Sequence, residues 1–332
     1  MPNIHVYIDS SYWQSGDGYD MSAIAFLGQC LVANKARFNI HFNNIGEDVN
    51  DDLKKTMSGT EGAPISPILE LIHTLGIGKS GEEMKDDKDQ AYDKSYFIRR
   101  TPIDDYRGTI IFSKMKKSLE SLEKEYGYGL ISETSFEKLK VAMVKKGEEV
   151  NDSFLKSDLK YCNSVVIVDR FALKDTWTIE NNLLPILKEI KSTSSIAQIT
   201  ILSQFSSRTE KSPISMDDAF NKMKAICKTE DKWRIEICDV KEYYHDRFII
   251  TNNNYITIGG GLDCRSLSKV KKVGSKTTTI HKYLYPLFQE EISKEVKFYI
   301  DSIKDMIRGL DRSNRKSNMD NGASNYLLTK WI

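Results

Sequence analysis

Apolar positions along this chain come in short runs divided by polar stretches, the rhythm of buried strands and amphipathic helices. Residues 3–9, NIHVYID, read as a buried strand, residues 20–34 as a helix and ARFNIHFNN as a second strand. This β-α-β opening predicts a parallel sheet with short connections. The stretch from Gly46 to Pro67 is polar, and PILELIHTLGI after it suits a short helix. Residues 78–95 are almost purely polar and predict a mobile loop. SYFIRR predicts another strand, and GTIIFSKMKKSLESLEKEYG a strand that continues as an amphipathic helix. The next segment carries a capping pattern, Thr134 or Ser135 ahead of Glu137 and Lys138, and reads as helical. Phe136, Leu139 and Met143 then lie at helical spacing as core.

The pattern is cleaner after Val150, where the domain boundary is expected. NSVVIVDRF is a strand ending in Asp169, and residues 177–192 form a helix interrupted or started around Pro185. IAQITILSQF is a strand, and MDDAFNKMKAICK a helix after a polar loop. WRIEICDV, HDRFIIT and NYITIGG follow as three strands, and residues 286–310 close with a helix. The predicted class is α/β in two domains. Residues 1–150 form an α/β domain, and residues 151–312 a mixed sheet flanked by helices. Residues 313–332 are a flexible tail whose apolar end, YLLTKWI, docks on its own domain or on a partner.

Composition adds exclusions. The chain is 40% hydrophobic and 29% charged with a net charge of +1, so it can bury a core. Affinity for nucleic acid or an anionic membrane must therefore come from a local patch. No apolar run approaches the ~20 residues of a transmembrane span. The N-terminus, MPNIHVYIDSSYW, is strand-like and unlike a signal peptide. Cys30, Cys162, Cys227, Cys238 and Cys264 are scattered, with no CxxC pair. That spacing argues against zinc and for a reducing cytoplasm.

The chemistry concentrates in YYHDRFIITNNNYITIGGGLDCR, residues 243–265. Strand side chains alternate, so His245 and Arg247 point the same way and Phe248 and Ile250 the other. An imidazole and a guanidinium on one face can grip one phosphate. Asn252 falls at the turn, and Gly259, Gly260 and Gly261 leave backbone amides open to an oxyanion. Asp263 can orient the histidine or the arginine. Three uses stay open: a binding site, a catalytic site, or a hydrogen-bonded corner with Asp246 or Asp263 pairing the arginine. Beyond the motif, no acidic residue occurs between Asp263 and Glu290, while Arg265, Lys269, Lys271, Lys272, Lys276 and Lys282 do. That run is a positive loop for phosphates or a solvated charge run. His281 lies within it as a possible second histidine.

The spacing resembles the phospholipase D superfamily signature, HxKxxxxD, six residues, then GSxN. His245, Arg247 and Asn252 fall on the H, K and D positions. Gly259, Gly260 and Leu262 fall on G, S and N, so the register is kept and four of six residue types differ. A closer resemblance is to the phospholipase-D-like domain found C-terminal to microtubule-interacting-and-transport domains. VDRF, ENNLLPIL, ITILS, HDRFIITNN and GGGLD carry it in order over about residues 164–300. The resemblance implies a histidine nucleophile at His245, phosphate binding at Arg247, no cofactor and a homodimer. Eukaryotic members are thought to bind acidic membranes without catalysis. Asn for Asp at position 252 removes the carboxylate expected to steady the imidazole, which leaves Asp239, Glu242 or Asp263 as substitutes.

Two other features bear on the chemistry. IGKSG lacks the P-loop glycine, since His73 stands five residues before Gly78. Asp9, at the tip of the first strand, is where PIN- and NYN-type metal nucleases place a carboxylate, with Asp158 and Asp169 as weaker partners. The expected function is phosphodiester engagement, foremost nucleic-acid binding or cleavage in a bacterial defence or processing setting. The alternatives are an adaptor on anionic lipid or a partner protein, and a metal-dependent nuclease centred on Asp9.

Overall fold

The computed structural model describes residues 4–9, 12, 14–15, 18–32, 38–43, 85–87, 109–113, 122, 129–131, 139–144, 159, 162, 164–193, 197–205, 214–227, 233–240, 247–252, 254–259, 262, 278–284, 290–318 and 325–329. The chain is α/β, and it divides into two compact units. The first comprises Met1–Glu123, Tyr128–Phe136 and Leu287–Glu290, and the second the remainder.

In the first unit, β1 (Ile4–Ile8) pairs in parallel with β4 (Phe38–Asn43) and β6 (Thr109–Phe112). A two-stranded hairpin, β2 (Gln14–Ser15) and β3 (Gly18–Tyr19), and the helix α1 (Met21–Val32) lie between β1 and β4. This is the β-α-β unit expected from the opening residues. Two short strands, β5 (Lys85–Asp87) and β7 (Gly129–Ile131), extend the sheet on either side in the order β5-β4-β1-β6-β7. Residues 85–87 thus form an edge strand inside the stretch expected to be a loop. The expected PILELIHTLGI helix and SYFIRR strand lie outside the described residues.

The second unit is built on an eight-stranded mixed sheet, in the order β15-β11-β10-β9-β12-β13-β14-β8. Its centre is β9 (Ser164–Val168), flanked in parallel by β10 (Ala197–Ser203) and then β11 (Trp233–Asp239). β9 reads SVVIV because both faces are covered, as a central parallel strand requires. Val165 and Ile167 join one core with Ile186 and Ile190, and Val166 and Val168 join the other with Val296 and Ile300. The helix covering the first face, α2, runs as Thr176–Thr178, a π-helical turn Ile179–Leu183, then Leu184–Thr193. Asp175 caps its start by accepting from the Thr178 N–H at 2.6 Å. The wide turn immediately precedes Pro185, which has no N–H to offer the helix, and the Leu184 N–H reaches back five residues to the Ile179 carbonyl. The helix therefore continues through the proline. The helix α3 (Met216–Cys227) shares that face, and α4 (Glu290–Arg308) covers the other.

β12 (Phe248–Thr251) and β13 (Asn254–Ile258) form the expected antiparallel pair, with β12 against β9. β14 (Thr278–Leu284) and β8 (Leu139–Val144) complete that side. The helix expected over Leu139–Val144 is corrected to a strand, since Met143 pairs with Thr279 and Leu139 with Tyr283. β8 precedes the boundary expected at Val150, yet it belongs to this sheet. The closing segment is anchored. β15 (Arg315–Ser317) adds antiparallel to β11, and the short helix α5 (Tyr326–Thr329) buries Leu327 and Leu328 on its own unit. Asn325 holds α5 in place, donating from Nδ2 to the Val165 carbonyl at 2.8 Å and the Gln198 carbonyl at 3.0 Å.

Candidate functional site at the carboxyl edge of the parallel strands

The three parallel strands end together at Asp169, Ser203 and Asp239, and β12 begins at the same edge after Arg247. The chain moves from β9 to β10 and β11 on one side, then returns to place β12 on the other. Such a reversal at the carboxyl ends of strands leaves a crevice where α/β proteins bind ligands.

Asp169 organises this edge. It is nearly fully buried, and its Oδ1 accepts from the Phe171 N–H at 2.8 Å. Its Oδ2 accepts from the Leu262 N–H at 2.6 Å. One carboxylate thus ties the turn after β9 to Leu262, which follows β13. The Arg247 Nε stands 3.9 Å from Oδ1, and its Nη1 donates to the Gly259 carbonyl at 3.2 Å. The guanidinium carbon lies 5.4 Å from the Phe171 ring centroid, within cation–π range. The Arg247 side chain keeps 24% exposure, so the group is held on three sides and still reaches solvent. Among the described residues the acid beside the arginine is Asp169, while Asp246 and Asp263 lie outside the described residues.

Other expectations change. Asn252 does not join this group. Its N–H donates to the Ser164 carbonyl at 3.2 Å, at the opposite end of β9. Five residues of extended strand separate it from Arg247, about 17 Å. Asn252 therefore stands apart from the edge that Arg247, Gly259 and Leu262 share around Asp169. The Gly259 amide is also taken, donating to the Thr279 carbonyl at 3.0 Å, so it is not open to an oxyanion. Lys282 is buried in β14, outside any solvated lysine loop. Asp239 Oδ1 accepts from the Phe205 N–H at 3.0 Å. His245, Asp263, Gly260, Gly261, Arg265, Lys269, Lys271 and Lys272 lie outside the described residues.

Sequence reasoning missed Asp169 as an organiser, along with its neighbours Arg170, Phe171 and Lys174. Their signal was VDRF, a carboxylate ending an apolar strand at a sheet's carboxyl edge. In the first unit, Asp9 is buried just past β1, where the strand order also reverses, and its N–H donates to the Phe112 carbonyl at 2.9 Å. Among the described residues no three His, Cys, Asp or Glu side chains converge to hold a metal ion, and no helix is long and apolar enough to cross a membrane.

No protein-family model matches the chain, and no curated protein does. Among solved structures the chain is similar to phosphatidylserine synthase of Haemophilus influenzae Rd KW20, at 13% identity and a TM-score of 0.31. The similarity covers 61% of this chain and 45% of that one, so the chain spans less than half of that enzyme's length.

Proposed function

We propose that the second unit is a phospholipase D-like module that engages phosphodiesters at the edge between β9 and β12, with nucleic acid as the ligand. The observation that carries this is Arg247, a guanidinium fixed by a carbonyl, an aromatic ring and a buried carboxylate while part of it stays open to solvent. A pre-oriented guanidinium binds phosphate oxygens in two parallel bonds and loses little freedom in doing so.

His245, two residues earlier in sequence, supplies the nucleophile in the catalytic form of this reading. Its imidazole nitrogen forms a bond to phosphorus as the phosphorus–oxygen ester bond breaks, and the leaving oxygen takes a proton from the imidazolium of the second copy's motif. Water then bonds to phosphorus through its oxygen and gives its proton to the second copy's imidazole, and the phosphorus–nitrogen bond breaks to restore His245. Gly260, Gly261 and Asp263 serve this site, and Arg265, Lys269, Lys271 and Lys272 supply salt-sensitive attraction. The step needs no cofactor, and a homodimer brings two motifs together. A cytoplasmic defence or nucleic-acid-processing role accords with this reading.

The test is binding of labelled oligonucleotide and of anionic vesicles to wild type, Arg247→Ala and His245→Ala. The reading expects Arg247→Ala to lower oligonucleotide affinity by at least tenfold. Binding to vesicles alone makes the unit a lipid adaptor. A second reading, a metal-dependent nuclease at Asp9, draws on that buried carboxylate at the reversal in the first unit. Nuclease activity that a chelator abolishes and His245→Ala spares supports it.

A further inference from the structure

The turn after β9 gathers three cations around one aromatic ring. The Arg170 guanidinium carbon lies 5.3 Å from the Phe171 centroid, that of Arg247 5.4 Å, and the Lys174 Nζ 5.8 Å. All three are within reach of the ring's quadrupole, which offsets part of their mutual repulsion. The turn itself is built firmly. The Leu173 N–H donates to Ser203 Oγ at 3.1 Å, and that hydroxyl donates to the Arg170 carbonyl at 3.0 Å. The Arg170 Nε donates to Gln204 Oε1 at 2.8 Å, which sets the plane of its guanidinium.

We propose that Arg170 and Lys174 form a second phosphate grip beside Arg247, so that the ligand is a run of consecutive phosphodiesters on a single nucleic-acid strand. This rests on the reading of Arg247 as a phosphate ligand. A lipid headgroup offers one phosphodiester to this patch, whereas a nucleic-acid strand adds a charge about every 3.4 Å of its axis. Three cations around one ring outnumber the single charge of a headgroup phosphodiester and suit several phosphates in a row. The flat guanidinium of Arg170 favours a strand whose bases are free to stack. Phe171 is a positioning residue here, since it holds the cations together.

The experiment is fluorescence anisotropy of the full chain with a labelled oligo-dT strand across a salt series. Each phosphate neutralised on a single strand contributes about −0.7 to the slope of log affinity against log salt. The double variant Arg170→Gln, Lys174→Gln should flatten the slope by about 1.4, and Lys174→Gln alone by about 0.7. The single variant keeps the test valid where the double variant does not fold. Phe171→Leu should weaken binding, with Phe171→Tyr restoring it. An unchanged slope in folded variants, with Arg247→Ala still weakening binding, overturns this inference alone. Preference for a duplex over the single strand overturns it as well. Absence of oligonucleotide binding by wild type overturns the reading of Arg247 too.

Discussion

The Asp169 carboxylate accepts the backbone N–H of Leu262 at 2.6 Å, across 93 residues of sequence. Its other oxygen accepts the Phe171 N–H and faces Arg247. Leu262, the turn after β9 and Arg247 are held in register by this buried anion. Asp169→Asn keeps the shape and places an amide where two N–H donors converge. It should lower the stability of the second unit by about 2 kcal/mol. Urea unfolding followed by the fluorescence of Trp233, which is buried in the same sheet, reads the change. A midpoint equal to wild type would show that the carboxylate does not hold the edge together.

Glu236 is fully buried on β11, and its charge is met by Arg315 of β15 and by Thr200 Oγ1 at 3.2 Å. Removing one partner of a buried pair strands the other. Arg315→Ala should therefore cost about 3 kcal/mol, and Glu236→Gln in that background should return most of it. The same urea titration measures both. Equal stability of Arg315→Ala and wild type would make β15 a passive edge.

Burial pushes the Cys238 thiol far above its ordinary 9.0, with Glu236 adding to the rise and Arg315 opposing it. Burial, reinforced by a hydrogen bond to Glu295, pushes the Tyr255 phenol far above its ordinary 10.0. The folded chain keeps both protons where the unfolded chain releases them. Stability is therefore fully present below these ordinary values and falls as pH rises past them, by about 1.4 kcal/mol per pH unit for each group. Tyr255→Phe and Cys238→Ala should each flatten the alkaline limb of a stability–pH curve. Limbs that match wild type in both variants would refute the assignment.

Much of this fold is legible from apolar patterning, and the exceptions have physical causes. β9 is buried on both faces and reads as an apolar run, and β10 and β11 are buried at most positions and stay rich in isoleucine. β8 carries Lys140 and follows a capping pattern, and only its pairing with β14 makes it a strand. β14 buries Lys282, a residue that reads as solvated until its neighbours are known. β15 is Arg-Lys-Ser, held through backbone pairing and Arg315, and leaves no hydrophobic signal. At the site, the pairing of His245 and Arg247 on one face is an expectation from strand alternation, and His245 lies outside the described residues. The role of Asp169 depends on contacts with Phe171 and Leu262 that spacing does not encode. Asn252 was assigned by a signature's register, and strand geometry carries it to the other end of the sheet.

The central claim is that the Arg247 guanidinium meets phosphate. The most direct measurement follows the side-chain Nε–H resonance of Arg247 by ¹⁵N NMR, assigned by its loss in Arg247→Lys, while a short single-stranded oligonucleotide is added. The account predicts a saturable shift of that resonance, with a midpoint matching the affinity found by anisotropy and weakening as salt rises. Oligonucleotide binding that saturates while the Arg247 signal stays in place would contradict it.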